Sequence, residues 1–281
     1  MNILYCGDRN IADGLMISVL SLLEQVREPL KVYVLTMGYQ SEGKCVEPLS
    51  PELIDQIDRR MKRVNPANEA TLIDVSDLFA MEPPAANLQT RFTPCCMLRL
   101  YADMLPELPG RLLYLDNDVI CRRDCSDFYY QNLDDLELIG VLDHYGKYFF
   151  RNHPLRMDYL NSGVLLLNLK YIRQTGLFRK CRRRCAEKEM FMPDQSAINK
   201  LAAGKKAMPR RYNEQRKLHE DTVFQHFTTS FRFFPWIRTV TVKPWQIERM
   251  HDCLKLHEYD DLLAEYTAWK AEMKENNPCR T

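Results

Sequence analysis

Asp116 and Asp118 stand two residues apart where an apolar run, Leu112-Leu113-Tyr114-Leu115, comes to an end. The run reads as a short buried strand. In an extended segment residues i and i+2 point to the same side. Two carboxylates on one side form a hard anionic pair that suits a divalent cation, and such a cation can also hold a diphosphate. Strand ends in open α/β sheets are where ligands usually sit. The Asp-Asn-Asp triplet is equally good chemistry for a turn that terminates a strand, and the motif alone leaves both readings open.

Four further groups could join the pair. Gly7-Asp8-Arg9-Asn10 lies between a strand and a helix. Its Asp8 and Asn10 can bond a base or ribose, or simply cap the helix. Asn161-Ser162-Gly163 introduces a second apolar run, where a glycine permits close backbone approach to a ligand or serves a bulge. Pro193-Asp194-Gln195 opens a helix, and an Asp there is favourable without any function. His226 ends a late strand and is followed by Lys243-Pro244-Trp245. A histidine so placed can complete a metal site with two aspartates, or can be packed and hydrogen-bonded.

These residues need a frame, and the apolar periodicity supplies one. Strands are expected at residues 2–6, 31–36, 71–75 and 112–115, with helices at 11–26, from Ser50-Pro51, and from Thr93-Pro94 to about Leu105. The first helix carries Leu15, Val19, Leu22, Leu23 and Val26 on one face. Strand–helix alternation over the first 120 residues predicts a mostly parallel sheet. Further on, 136–142 and 164–168 read as buried strands, 171–190 and 193–203 as helices, 222–227 as a strand and 251–275 as an amphipathic tail helix. No internal repeat or linker interrupts this order, so one domain over 1–281 is the expectation, ending in a helical tail at 251–281.

Composition narrows the classes. A net charge of +1 over 281 residues gives no global field for nucleic acid. No apolar run approaches 18 residues, so no transmembrane helix is expected. The start, Met1-Asn2-Ile3-Leu4-Tyr5-Cys6, enters a strand at once and lacks the features of a signal peptide, which predicts a cytoplasmic protein. Ten cysteines fit that compartment as free thiols. The pairs Cys121/Cys125 and Cys181/Cys185 have spacing used by zinc sites, but no histidine stands beside either. The basic segment Arg179 to Arg184 reads as a solvated helix face, with weak peripheral docking on anionic lipid as the functional alternative.

Taken in order, Asp8-x-Asn10, Arg99, Leu113-Tyr114-Leu115-Asp116-x-Asp118, Asn161-Ser162-Gly163-Val164-Leu165-Leu166-x-Asn168, Asp194-Gln195 and His226-Phe227 with Lys243-Pro244-Trp245 resemble glycosyltransferase family 8. Relatives there include bacterial lipopolysaccharide glucosyl- and galactosyltransferases and glycogenin. The resemblance runs from residue 2 to about 246. It implies a single α/β GT-A domain with a mixed central sheet and a C-terminal helix, its nucleotide-binding half at 1–120 and its donor-sugar and acceptor half at 121–250, a UDP-sugar donor, and Mn²⁺ (or Mg²⁺). It also implies transfer of glucose or galactose to a saccharide or glycolipid acceptor with retention of anomeric configuration. Asp116, Asp118 and His226 match the metal ligands. Asp8 and Asn10 match uridine contacts, Asn117 lies near the ribose, and Lys243 matches the lysine on the diphosphate. Arg99, Asp143, Asn161, Ser162, Gly163, Asp194 and Gln195 match positions around the donor sugar. Of these, Gln195, Asp194 and Asp143 are the candidates for the reacting centre.

The chain departs from the pattern in two places. Ile11 stands where some relatives have an aromatic on the uracil. An insert at 227–242 carries Phe231-Arg232-Phe233-Phe234-Pro235-Trp236, for which partial burial against the C-terminal helix is the expectation, with lining of the acceptor site as the alternative. Two other functions compete. A haloacid dehalogenase-type phosphatase also uses Asp-x-Asp after an apolar strand, but near the N-terminus, and leaves Asp194-Gln195 and Lys243-Pro244-Trp245 unexplained. A degenerate nucleotide-sugar binder would take up UDP-sugar without releasing UDP.

Overall fold

The apolar segments become strands buried on both faces, as the centre of an α/β sheet requires. The computed structural model describes residues 1–41, 44–90, 93–149, 158–232, 236 and 238–275. In chain order its strands are β1 (Asn2–Cys6), β2 (Lys31–Thr36), β3 (Tyr39–Ser41), β4 (Lys44–Val46), β5 (Glu69–Asp74), β6 (Arg111–Leu115), β7 (Val119–Cys121), β8 (Leu138–Leu142), β9 (Leu160–Asn168), β10 (Lys205–Met208), β11 (Phe224–His226), β12 (Ser230–Arg232) and β13 (Arg238–Val240). The helices are α1 (Ala12–Gln25), α2 (Pro51–Val64), α3 (Ser76–Met81), α4 (Ser126–Tyr129), α5 (Gly146–Phe149), α6 (Leu169–Thr175), α7 (Leu177–Glu187), α8 (Pro193–Leu201), α9 (Ile247–Arg249) and α10 (Asp260–Glu275).

Seven strands form the main sheet in the order β10-β8-β9-β6-β1-β2-β5. It is mixed. β9 runs antiparallel to both β6 and β8, and the other neighbours are parallel. The sequence pattern alone marks β9 as buried but says nothing of its direction. One face of the sheet is covered by α1, α2 and α10 through residues such as Leu15, Val19, Ile57, Leu263 and Trp269. The other is covered by the 94–104 segment, α6, α7 and α8 through Leu98, Leu100, Ile172, Phe178 and Ala197. α1 buries every residue from Gly14 to Leu23, not the one expected stripe, because α2 and α10 enclose it from outside.

The expected caps form. The Ser50 hydroxyl accepts from the Leu53 N–H at 3.2 Å, with Pro51 at the first helical position. Thr93 caps in the same way, accepting from the Cys95 N–H at 3.1 Å. The segment that follows, Pro94–Met104, is a 3₁₀ helix and not the α-helix expected. The helix expected at 171–190 is two helices. Gly176 breaks it in the left-handed region at φ 67°, a conformation that costs glycine little. Asn168 caps the first of them. The tail helix begins at Asp260, after a π-helical turn at Met250–Leu254.

The basic segment is only in part the solvated face expected. Arg183 is exposed and paired with Glu187 at 2.8 Å. Arg182 turns inward, with Nε 2.5 Å from Glu82 and Nη1 2.5 Å from Asp103, and it also donates to the Leu100 carbonyl. The nine described cysteines are free. Cys121, Cys125, Cys181 and Cys185 are buried in the apolar layers, and burial pushes the Cys185 thiol up to about 12. Among the described residues no cysteine falls in a group of metal-ligating side chains. In the insert, β12 and β13 form an antiparallel hairpin. Phe233, Phe234 and Pro235 lie outside the described residues, and Trp236 is 80% exposed, contrary to the expected burial. No helix among the described residues is long and apolar enough to cross a membrane.

Candidate active site

The chain leaves β1 toward β2 and β5, then returns to place β6 on the other side of β1. That reversal is a topological switch point, and the crevice beyond the carboxyl ends of β1 and β6 is where open α/β sheets bind ligands. Asp8 follows β1 and Asp116 follows β6, so both aspartates border this crevice.

Asp116 is fixed to the sheet by its N–H, which donates to the Gly163 carbonyl at 2.8 Å. The chain then turns tightly, with the Val119 N–H bonded to the Asp116 carbonyl at 3.2 Å. The turn and the ligand readings of Asp-Asn-Asp therefore hold together. A turn, not extended i, i+2 geometry, brings the carboxylates to one place. β7 follows at once and pairs antiparallel with β11, placing His226 opposite Val119. The Phe227 N–H donates to the Asp118 carbonyl at 3.1 Å. His226 Nε2 lies 3.2 Å from Asp118 Oδ1 and 3.6 Å from Asp116 Oδ2. The ligating atoms of all three residues fall within 4.8 Å of one another.

Gly163 makes that convergence possible. A Cβ at this position would come within 2.6 Å of His226 Nδ1 and 2.8 Å of Asp116 Oδ2. Only a residue without a side chain leaves room for the imidazole beside the carboxylate. His226 Nδ1 sits 3.2 Å from the Asn213 amide oxygen, which leaves Nε2 turned toward the aspartates. Asn213 in turn donates to Asn161 at 2.9 Å, and the Gly163 N–H donates to the same Asn161 oxygen at 3.0 Å. Two carboxylates and an oriented imidazole are a donor set that fits a divalent cation.

The network continues away from the Asp116, Asp118 and His226 group. Asn161 donates to Asp143 Oδ2 at 2.9 Å, and Gln195 donates to the same oxygen at 3.2 Å. The Gln195 side-chain oxygen Oε1 accepts from the Ser162 N–H at 2.9 Å and the Ser162 hydroxyl at 3.2 Å. Asp143 Oδ1 takes the N–H groups of Tyr145 and Gly146. Asn161, Ser162, Asp143, Asp194 and Gln195 are all buried. β8, β9 and the start of α8 thus deliver five sequence-predicted residues to one polar cluster.

Arg99 stands behind the carboxylates. Its guanidinium lies 3.0 Å from Asp116 Oδ1 and 3.3 Å from Asp194 Oδ2, donates to the Ser162 carbonyl, and stacks 3.8 Å from the centre of the Tyr114 ring. The Tyr114 hydroxyl donates to Asp116 Oδ1 at 2.6 Å. Burial pushes the Asp194 carboxyl up, and Arg99 opposes the shift. Burial also opposes ionisation of Asp118, but Lys243 and His226 outweigh it and hold this carboxyl below the usual range. Lys243 Nζ pairs with Asp118 Oδ2 and donates to the Phe227 carbonyl at 3.0 Å.

On the β1 side, Asp8 is buried and accepts from the Asn10 N–H at 2.9 Å, so the capping role is met. The Asn10 side chain is exposed, and Asn117 is half-buried. Gly14 of α1 faces Asn117 and Trp245 so closely that an added Cβ would stand 2.6 Å from the Asn117 amide nitrogen and 2.7 Å from the Trp245 ring. Close packing of α1, the Asp-Asn-Asp turn and the Lys243-Pro244-Trp245 segment at one place joins the β1 and β6 sides of the crevice.

The profile of Glycosyl transferase family 8 matches residues 2–248. The chain belongs to glycosyltransferase family 8. It is 25% identical to the lipopolysaccharide 1,2-glucosyltransferase of Escherichia coli (strain K12), an alignment covering 96% of this chain and 79% of that protein. Among solved structures, an active-site mutant of LgtC superposes with a TM-score of 0.67 at 18% identity, covering 97% of this chain and 96% of that one. The galactosyltransferase LgtC in complex with donor and acceptor sugar analogs gives a TM-score of 0.65 at 19% identity, with the same coverage. The fold of this family 8 chain is GT-A.

Tyr114 and Asn213 escaped the sequence reading. Tyr114 looked like one more apolar strand residue, and its hydroxyl gave no signal. Asn213 stands in a segment without periodicity, and only the fold brings it to His226.

Proposed function

We propose that this family 8 chain is a metal-dependent, retaining hexosyltransferase that moves glucose or galactose from a UDP-sugar to a saccharide or glycolipid acceptor. The process served is synthesis of lipopolysaccharide or another surface polysaccharide, in line with the name of the Escherichia coli relative, a lipopolysaccharide 1,2-glucosyltransferase. We read the chain as one GT-A domain whose 1–120 half takes the nucleotide and whose 121–250 half takes the sugars. The reaction would take place in the cytoplasm, with any contact at the inner membrane face weak.

The observation that carries the proposal is the convergence of Asp116, Asp118 and His226 beside a glycine, at the sheet's switch point and next to Lys243. A divalent cation there would neutralise charge on the departing diphosphate. The imidazole favours Mn²⁺ over Mg²⁺, which prefers oxygen alone. Lys243, now on Asp118, would turn to the diphosphate as it leaves. Asp8, Asn10 and Asn117 would hold the nucleoside, and Arg99, Asn161, Ser162 and Gly163 would shape the sugar pocket.

The state of the carboxylates supports same-face attack. Asp143 accepts four hydrogen bonds, and Asp194 is turned to Arg99. Asp143 is therefore no free nucleophile for a glycosyl–enzyme intermediate, whereas Asp194 Oδ2 is ion-paired with Arg99 but accepts no hydrogen bond among the described residues and is the carboxylate that a covalent step would use. Gln195, positioned by Ser162 and Asp143, can steady the oxocarbenium-like sugar through its amide. The departing phosphate then takes the acceptor proton from the face it leaves. A panel of UDP-sugars assayed for UDP release with and without Mn²⁺ tests the proposal. Slow, Mn²⁺-dependent hydrolysis of UDP-glucose or UDP-galactose is expected without any acceptor. Tight binding of every donor with no UDP release would instead identify a binding protein.

A further inference from the structure

Beyond the Lys243-Pro244-Trp245 segment, the C-terminal part of the chain gathers two imidazoles and a carboxylate. His251 lies in the π-helical turn Met250–Leu254, and His257 and Asp260 follow it. Lys255, in the left-handed region at φ 54°, turns the chain back, and its N–H donates to the His251 carbonyl at 3.1 Å. The Asp260 N–H donates to the His257 carbonyl at 3.2 Å. The two rings stack with centroids 4.3 Å apart and planes 23° from parallel. Both address the same carboxylate: His251 Nε2 is 2.6 Å from Asp260 Oδ1, and His257 Nδ1 is 3.3 Å from Oδ2. An Asp in the first turn of a helix is favourable without any ligand. Two stacked imidazoles turned to it are not accounted for by that preference.

We propose that His251, His257 and Asp260 form a second metal site, selective for Zn²⁺, that fastens the π-helical turn to the first turn of α10. Two neutral imidazole nitrogens, one carboxylate oxygen and a water make a tetrahedral zinc donor set. Bonds of about 2.0–2.1 Å place tetrahedral ligand atoms about 3.4 Å apart. His257 Nδ1 is at that spacing from Asp260 Oδ2 already, and His251 Nε2 is within about 1 Å of it from Oδ1, so a turn of the carboxylate offers one oxygen to an ion held by both nitrogens. All ligating atoms lie within 4.8 Å of one another. The three side chains are partly exposed, so the ion enters from solvent and keeps a water. The donor sets of the two sites differ in hardness. Asp116, Asp118 and His226 offer two carboxylates to one imidazole, and the tail site offers the reverse, which favours the borderline-soft ion.

The place of the site gives it a consequence. α10 is tied to α1 by Lys270 and Asp13 at 2.6 Å. The turn hangs from Gln246, whose carbonyl accepts from Met250 at 2.9 Å and whose side chain accepts from the Lys243 N–H at 3.2 Å. Zinc would therefore brace the tail against the segment that carries Lys243.

Calorimetric titration of the metal-free full-length chain with zinc chloride tests the assignment, using wild type, His257→Ala, Asp260→Asn and His226→Ala. Wild type is expected to take one more zinc per chain than His257→Ala or Asp260→Asn, or to take it at least tenfold more tightly. His226→Ala should keep the tail site, and zinc should raise its Tm as it does that of wild type. Mn²⁺-dependent UDP release should be unchanged in His257→Ala. Equal zinc stoichiometry and affinity in wild type and a folded His257→Ala would overturn the proposal. His257 is mostly exposed, so its loss leaves the fold able to decide even if Asp260→Asn does not fold.

Discussion

Gly163 and Asn213 set the position of His226, and they do so by different means. Gly163 provides space, and Asn213 holds Nδ1 so that Nε2 faces the aspartates. Gly163→Ala should push the imidazole aside and weaken Mn²⁺ binding by well over tenfold. Asn213→Ala keeps the space but frees the ring, and a loss of about 10–100-fold in metal affinity is expected. Mn²⁺ titration of the two variants checks both, and wild-type affinity in Asn213→Ala would remove it from the metal site. Gln195 lies one step further out, bonded to Ser162 and Asp143 and to none of Asp116, Asp118 and His226. Gln195→Ala should therefore lower kcat far more than it raises KM. A change in KM alone would place Gln195 with binding and not with the reacting centre.

The elements that carry these residues differ in how plainly the sequence announces them. β1, β2, β6 and α2 follow from apolar runs and a Ser-Pro cap, because local preference and burial point the same way. β7, β10 and β11 are three or four residues long and are stabilised by partners distant in the chain. No local pattern marks β7 or β10, whereas β11 falls inside the strand expected at 222–227, and β7 with β11 is what joins His226 to Asp118. Arg182 shows the same limit on a helix. Its neighbours Arg179, Arg183 and Arg184 suggest a wet face, but Glu82 and Asp103 arrive from other segments and draw it inside. Arg182→Ala would leave the Asp103 carboxylate buried without its partner, a loss of about 3 kcal/mol. A denaturation series showing less than about 1 kcal/mol would mean that solvent or another cation compensates.

At the scale of the whole molecule, the site stands where the sheet changes direction of growth, so the fold selects the location and the loops select the chemistry. The residues of the candidate site were nearly all legible because each sits beside an apolar strand or at a helix start. Their connection was legible only through the family resemblance. The hydrogen-bonded state of Asp143 bears on stereochemistry. An inverting enzyme needs a base on the face opposite UDP, and Gln195 is no base. The product of an α-linked UDP-hexose should be α-linked, read from the anomeric proton by NMR. A β-linkage would rule out same-face attack.

Binding of UDP in the presence and absence of Mn²⁺, measured by calorimetry on wild type, Asp118→Ala and His226→Ala, tests the metal-centred site most directly. Wild type should bind UDP strongly only with Mn²⁺. Both variants should lose that dependence and most of the affinity while remaining folded, since neither side chain belongs to the apolar layers. UDP affinity that is the same with and without Mn²⁺ in wild type, or unchanged in either variant, would contradict the assignment of Asp116, Asp118 and His226 as the metal centre.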